Sequence, residues 1–477
     1  MKKPLLGFLF FIVCICYNQA GGLAQGSGRA GFVVSPNNKL FSDTGVKKSE
    51  LLYKNADHKL LTEQNLLHEN MHQLTNAIAV AKFSPPLAGR IYSYASIAAY
   101  EALKFQQSSG KSLVQNLKGF PLMPLPDKNK NYNYLLAATK AFFTVAKKIL
   151  FARDTLIDYE DKIFSEFKKV LEKDSYESSV HFGELVGNAV LERTKIDKFT
   201  ETRIMPKFLG GEKPGKWRRT PAGYLAPLEP YWGQIIPLVL DSAAEIKGPL
   251  PPPYSLEKNS AFYKAVNEVY QIGINLTDER KMIAKYWDDN PLVRDSTNSK
   301  LGGKKITPVA HWVGIAGIAC RMKNLSAVET AKTYATTSLA MHDAIIACWS
   351  QKYIHNVIRP ITVINEVIDT SWKSFIQTPP TPEHTSGHSS ISAAAARVLT
   401  HLFGNNFAFE DTSELTYIGM KRRFSSFNSA AREVSISRVY GGIHYRTGID
   451  AGADQGRAVG GYVIQKLLKE SARRRRG

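Results

Sequence analysis

KYIHNVIRP at residues 352–360, followed by TSGH at 385–388 and SRVYGGIH at 437–444, is the part of the 477-residue chain from which the rest is best read. Lys352 and Arg359 are seven residues apart, so one continuous helix would project both from a single face. Pro360 disfavours helical geometry at residue 359 and offers the alternative of an Arg359 turned inward after the helix has stopped. In the second stretch, Thr385 or Ser386 can cap the Ala-rich helical run at 389–402. That puts the Gly387 amide, the Ser386 hydroxyl and the positive end of a helix dipole at one point, with His388 beside it. In the third, Gly441 and Gly442 separate Arg438 from His444 and permit close approach of backbone to a ligand. Each fragment alone is commonly structural: a solvated cation pair, an N-cap, a core histidine. Together they supply three cations, a hydroxyl, an amide and two histidines in order within a hundred residues, a complete shell for a trigonal-bipyramidal oxyanion.

The rest of the chain reads as helical. Leu60, Leu61, Leu66, Leu67, Met71 and Leu74 recur at spacings near 3.6 until Ser84-Pro85-Pro86 interrupts them. Further helical segments are predicted over 91–103, 135–151, 159–171, 180–193, 261–272 and 278–287. Ser326 with Glu329 forms a capping-box sequence before a long apolar run that ends near Lys352. None of these segments alternates as a half-buried strand would. Between residues 198 and 256, Gly210-Gly211 and a series of prolines preclude helix. Trp217 and Trp232 indicate that this irregular segment packs on something, expected to be the catalytic bundle. The organisation predicted is an N-terminal helical part (56–197), the irregular segment (198–256) and a C-terminal helical bundle (257–470).

Residues 1–20 carry Lys2 and Lys3 ahead of an apolar run, the pattern of a secretory signal and too short to span a membrane comfortably. This predicts a secreted or periplasmic protein. A flexible segment (21–55) follows the signal, and a basic tail occupies 471–477. The mature chain keeps two cysteines, Cys320 and Cys348, both in apolar helical stretches and expected to be buried free thiols. Lys and Arg outnumber Asp and Glu by 62 to 42. The excess favours anionic ligands, but it is dispersed and forms no aromatic-interleaved basic stripe, which argues against nucleic acid. The mature chain has no second run of eighteen apolar residues, so no transmembrane span is expected.

With its three motifs, the chain resembles the superfamily of vanadium-dependent haloperoxidases and type 2 phosphatidic acid phosphatases. The signature of that superfamily is Lys, six residues, Arg-Pro; then Pro-Ser-Gly-His; then Ser-Arg, five residues, His. Here Lys352, Arg359-Pro360, Ser437-Arg438 and His444 match it, and Thr385 stands where the pattern has proline. The resemblance implies an all-α helical-bundle fold with the catalytic bundle C-terminal. It also implies that Lys352, Arg359 and Arg438 bind the equatorial oxygens, with Ser386 and the Gly387 amide completing the shell. His444 would be the single protein ligand to vanadate or the nucleophile of a phosphohistidine intermediate, and His388 the acid–base residue. The pattern usually has an aspartate four residues after the second histidine to orient its ring. Here that position is Gly448, which leaves a backbone carbonyl or another carboxylate to fix the ring.

The shell itself serves both chemistries. Trp349, three residues before Lys352, resembles a tryptophan placed near the halide region in fungal chloroperoxidases, although a helix-terminal core aromatic would look the same. The long helical N-terminal half resembles secreted bacterial haloperoxidases. The favoured function is therefore a vanadium haloperoxidase that uses hydrogen peroxide to oxidise iodide or bromide. The alternatives are a soluble acid phosphatase acting on phosphate esters and a non-catalytic oxyanion-binding protein. Thr381 and His384 are further candidates for the halide region, although a loop histidine such as His384 is expected to be exposed. Members of the superfamily often self-associate, so an oligomer is compatible with the resemblance.

Overall fold

The computed structural model describes residues 63–108, 110–150, 154–291 and 305–469. The predicted signal (1–20), the flexible segment (21–55) and the basic tail (471–477) lie outside the described residues. The chain is all-α, and helices follow wherever apolar residues recur at helical spacing. The first six are α1 (Glu63–Val80), α2 (Pro85–Leu103), α3 (Tyr134–Ile149), α4 (Asp154–Val170), α5 (Lys173–Thr194) and the short α6 (Phe199–Arg203). After the irregular segment come α7 (Ala261–Ile274), α8 (Asp278–Tyr286), α9 (Pro308–Met322), α10 (Ala327–His355), α11 (Pro360–Val367), α12 (Gly387–Phe403), α13 (Leu415–Ile418), α14 (Phe427–Tyr440) and α15 (Arg446–Val463). Helix α2, predicted to begin at 91, begins at Pro85 behind the Ser84 cap, and the short α6 falls inside the segment expected to hold no helix. Helices α4 and α5 also start earlier than apolar periodicity predicts. Their first turns are polar, with Asp154 and Asp174 favoured there by the helix dipole instead of by burial. The sequence reading also missed an antiparallel pair, β1 (Phe409–Asp411) with β2 (Arg422–Phe424), whose strands are too short to show alternation.

Helix α10 is the axis of the fold. Ser326 accepts a hydrogen bond from the Glu329 amide while the Glu329 side chain bonds the Ser326 amide, so the predicted capping box is present. Almost every side chain from Ala327 to Lys352 is buried, and α10 packs on α2, α9, α12 and α15. A single apolar core joins residues from α1–α5 to residues of α9, α10, α12, α14 and α15. Cys320 and Cys348 are buried free thiols, and Cys348 lies within this core.

Helix α12 crosses α15 at close range because α15 presents Gly452, Gly456 and Gly460 at four-residue intervals. A Cβ at Gly456 would run into the Ser390 carbonyl, and one at Gly460 would lie 2.8 Å from the Ala394 carbonyl oxygen. On the facing side, α12 offers small residues, Ser389, Ser390 and Ala393 to Ala396, all buried.

The Pro/Gly-rich segment lies on this bundle. Trp217 and Trp232 are fully buried. The Trp217 amide donates to the Asn356 carbonyl (2.9 Å), and the Leu228 amide to that of Pro380 (2.9 Å). The buried Asp343 carboxylate on α10 accepts the amides of Leu238, Val239 and Leu240 at 2.8–2.9 Å. A chain without regular structure must satisfy its backbone donors elsewhere, and here a helix side chain takes three of them.

Candidate active site

The three motifs meet at one end of α10 and α12. Lys352 lies in the last turn of α10, which runs on to His355, past its predicted end near Lys352. Asn356, in the left-handed region (φ 51°), stops the helix, and its amide returns to the Lys352 carbonyl. Arg359 then adopts extended geometry as the residue preceding α11, with Pro360 at the first helical position. Of the two alternatives open in the sequence, the chain takes the inward turn. Ser386 caps α12, its side chain accepting from the Ser389 amide, and so aims the first turn, with Gly387 and His388, at the same point. Arg438 lies in the last turn of α14, after which the chain reverses through Gly441 and Gly442. Gly442 has φ 76° and lies against Trp372 and Ser374, where a side chain would be both strained and obstructed. His444 follows, immediately before α15.

All three cations are buried and bonded to neutral groups. Lys352 Nζ donates to the carbonyl oxygens of Pro382 (2.9 Å) and Glu383 (3.2 Å). Arg359 donates to the Thr381 carbonyl (2.8 Å), the Thr381 hydroxyl (2.9 Å), the Ile443 carbonyl (2.6 Å) and His444 Nε2 (3.1 Å). Arg438 donates to Ser437 Oγ (2.9 Å) and to the carbonyls of Trp287 and Asp288. Burial pushes Lys352 down to about 8, and Arg359 and Arg438 to about 10. Burial, followed by the neighbouring cations, holds both histidines well below the usual imidazole range: Arg438 acts most on His388, and Arg359 and Lys352 on His444. Two neutral imidazoles and three unneutralised cations make a site that favours an anion. A cleft of about 480 Å³ opens on both imidazoles and on Lys352 and Arg359; Arg438 and Ser386 are not in its lining, and Arg438 shares the Asp288 carbonyl with His388. The cleft is lined by Lys352, Arg359, Thr381, Gly387, His388 and His444, with Trp349, Pro85, Leu228, Pro379 and Pro380 as its apolar wall.

The group that orients His444 is Glu383, from the loop before α12. Glu383 Oε1 lies 2.6 Å from His444 Nδ1 and also accepts the Tyr445 amide (3.2 Å). Arg359 donates to Nε2, so Nδ1 carries the ring proton and donates it to Glu383. Burial raises the Glu383 carboxyl to about 7, against the pull of Arg359 and Lys352. Gly448, the position from which the family pattern would supply an aspartate, leaves the space that Glu383 fills: a Cβ there would collide with the Glu383 carboxylate. The sequence did contain the signal, a missing carboxylate at 448 and a spare one at 383, but periodicity could not join a helix start and a loop 65 residues apart.

The halide-region candidates separate. Trp349 and Thr381 line the cleft, and Trp349 also donates its Nε1–H to the Leu228 carbonyl (3.3 Å). His384 is not exposed. It is buried with Nε2 3.0 Å from the Pro249 carbonyl, and its ring meets that of His355 (5.4 Å) outside the cleft lining. The proline-rich segment covers the loop at this point, which the loop's own sequence cannot reveal. Thr385 is accommodated in place of proline because its hydroxyl donates to Gln455 on α15 (2.9 Å). Residues 288–290, which follow the helix predicted over 278–287 and were not among the candidate site residues, contribute directly. The Asp288 carbonyl lies 3.2 Å from His388 Nε2 and accepts from Arg438, while Asp289 and Asn290 line the cleft.

Comparison with known proteins agrees with this geometry. A family model described as the VCPO second helical-bundle domain matches residues 332–471. The structure is similar to that of a bacterial vanadium-dependent iodoperoxidase, with TM-score 0.80 and 42% identity, covering 85% of this chain and 96% of that one. It is similar in fold to a bacterial vanadium-dependent chloroperoxidase in its holo form (TM-score 0.63, 17% identity, 81% of this chain and 93% of that one) and in its apo form (TM-score 0.62, 16% identity, 81% and 94%). No curated protein sequence gives a match.

Proposed function

The chain belongs to the vanadium-dependent haloperoxidase superfamily and is an enzyme of the peroxidase kind, and we propose that it uses hydrogen peroxide to oxidise iodide or bromide to hypohalous acid on a vanadate held by His444. The observation that carries this reading is the donor set. Lys352, Arg359 and Arg438 are buried cations whose bonds go to neutral oxygens and a ring nitrogen. Beside them stands an imidazole whose Nδ1 is committed to Glu383, so Nε2, which here accepts from Arg359, is the nitrogen a ligand would take as Arg359 turns to that ligand's oxygens. These residues fit vanadate: three cations and the first turn of α12 for its oxygens, one nitrogen for the metal. Bound there, vanadate supplies a Lewis acid that activates peroxide toward attack by halide. Iodide, the halide easiest to oxidise, is the minimal substrate.

The chain's own groups divide the remaining work. Glu383 fixes the tautomer and direction of His444. His388, with Nε2–H donating to the Asp288 carbonyl, keeps Nδ1 as the position that can take a proton. An anion in the shell offsets the cations that hold His388 neutral and so raises its basicity, which suits it to exchange protons with a substrate oxygen. Trp349, Leu228 and the prolines exclude water from one side of the cleft. The leader-like residues 1–20 support a secreted or periplasmic enzyme. Among the described residues no helix is long and apolar enough to cross a membrane.

The experiment is to assay purified protein, with and without orthovanadate, for peroxide-dependent oxidation of iodide and bromide and for phosphate-ester hydrolysis. Halide oxidation that requires vanadate is expected, and His444→Ala should abolish it. Ester hydrolysis inhibited by vanadate, with no halide oxidation, would establish the phosphatase chemistry instead.

A further inference from the structure

Next to the cleft, and joined to it by Asp289, lies a second group of ionisable side chains that the proposed reaction does not use. His311, on α9 and fully buried, sits between carboxylates from two directions. Both oxygens of Asp289 lie 3.1 Å from its Nδ1, and Asp411 Oδ2 lies 2.9 Å from its Nε2. Glu414 Oε1 is 3.7 Å from the same Nδ1. The Trp287 ring stacks on the imidazole (4.4 Å between centroids, 25° between planes), and the Tyr286 ring meets it edge-on at 5.4 Å.

What this cluster grips is the backbone of 287–289. Trp287 is held by stacking on His311. Asp288 is held by Lys305, whose Nζ donates to its carboxylate (2.6 Å). Asp289, in the left-handed region (φ 43°), directs its carboxylate to His311. The carbonyl oxygens of the same stretch face the other way, Trp287 and Asp288 accepting from Arg438 and Asp288 also from His388. A carbonyl fixes the direction of its donor only as firmly as its own peptide is held.

We propose that His311 is a positioning residue for the reaction: through Trp287 and Asp289 it fixes the peptides whose carbonyl oxygens aim Arg438 and His388 into the shell. This rests on the reading of Arg438 and His388 given above. The electrostatics agree with the geometry. Burial alone would lower the His311 pKa, but Asp289 and Asp411 override it and hold the ring well above the usual imidazole range, so it is a cation. Burial and the Asp289 charge keep the Glu414 carboxyl well above its usual range, and therefore neutral. The cluster is a charged clamp with one cation between two carboxylates, and a neutral replacement cannot reproduce it.

The test is a double-mutant cycle read by vanadate binding. Dissociation constants are measured by equilibrium dialysis against orthovanadate for the native protein, His311→Gln, Arg438→Ala and the double variant, with circular dichroism to verify folding. Because outer partners of a ligand shell typically alter metal affinity by about 10–100-fold, His311→Gln should weaken vanadate by about tenfold in the native background. In the Arg438→Ala background it should weaken vanadate by clearly less than in the native one, since one of the two groups it aims is gone and only His388 remains. The kcat for iodide oxidation should fall in parallel, with KM for iodide little changed. An equal loss in both backgrounds, or none in the native one, overturns the proposal. Should His311→Gln fail to fold, Asp411→Asn, which keeps the Nε2 partner but removes its charge, carries the same cycle with the same two outcomes. A native protein that binds no vanadate would instead sink the proposed function, which separates the two failures.

Discussion

At the scale of single residues, Glu383, Gly448 and His444 form one unit assembled from the loop before α12 and the start of α15. A carboxylate behind a ligand histidine sets its tautomer and raises its donor strength, and that task can be met from either place provided that only one of them brings a side chain. Gly448→Asp should therefore displace Glu383 and weaken vanadate by about 10–100-fold. Pairing it with Glu383→Gly, which opens the space and returns the carboxylate to the position of the family pattern, should recover part of that loss. Vanadate titration of the two single variants and the double variant decides it, and a double variant weaker than both singles would show that the carboxylates are not interchangeable. At this scale the sequence was legible wherever a motif spelled the chemistry. Lys352, Arg359, Ser386, Gly387, His388, Arg438 and His444 converge from three stretches read before any fold was known. Glu383, Asp288 and His311 were not legible, because their chemistry lies in who their neighbours are, and the contacts span 61, 100 and 22 residues of sequence.

Among elements, the packing of α12 on α15 decides whether the shell closes. The Ser386 amide donates to the Gly448 carbonyl (3.0 Å), so the start of α12 is tied to the first turn of α15, and the two helices then remain close along the row of glycines. Placing two β-branched methyl groups at Gly456 would press on the Ser390 carbonyl, a backbone atom that cannot rotate away. Overpacking of this kind costs about 1–3 kcal/mol. Gly456→Val should show that loss in urea denaturation, together with weaker vanadate binding because the cap of α12 shifts; an unchanged midpoint would mean that the helices can separate freely. Sequence periodicity located most of the helices correctly and placed the Ser326 capping box. It misjudged the starts of α2, α4 and α5 and missed α6, β1 and β2. It also could not trace the path of the Pro/Gly-rich segment, whose anchor is the Asp343 carboxylate on another element.

For the molecule as a whole, the histidines link stability to pH. His68 and His342 are held down to about 3 and His384 to about 4, in each case chiefly by burial. His342 gives the cleanest case: it is fully buried, neither ring nitrogen has a hydrogen-bond partner among the described residues, and the charges of Arg90 and Arg193 add to the effect of burial. A histidine whose folded pKa lies below its unfolded value of 6.5 contributes stability above pH 6.5 and loses it as pH falls toward the folded pKa, because the unfolded chain takes up the proton first. Between pH 7 and pH 5 this single group should cost about 2 kcal/mol, and any folded value below about 4 gives nearly the same figure. Buried carboxyls raised by the same desolvation, Asp343 to about 6 and Glu383 to about 7, act in the opposite sense over this range, so the native profile alone does not isolate the histidine. The difference between two proteins does. His342→Leu, which keeps the volume and removes two unsatisfied nitrogens, should be at least as stable as the native protein at pH 7. Its stability in urea, measured without added vanadate, should fall by about 2 kcal/mol less than that of the native protein on going to pH 5. Parallel losses in the two proteins would mean that His342 already carries its proton, or a partner for it, in the folded state.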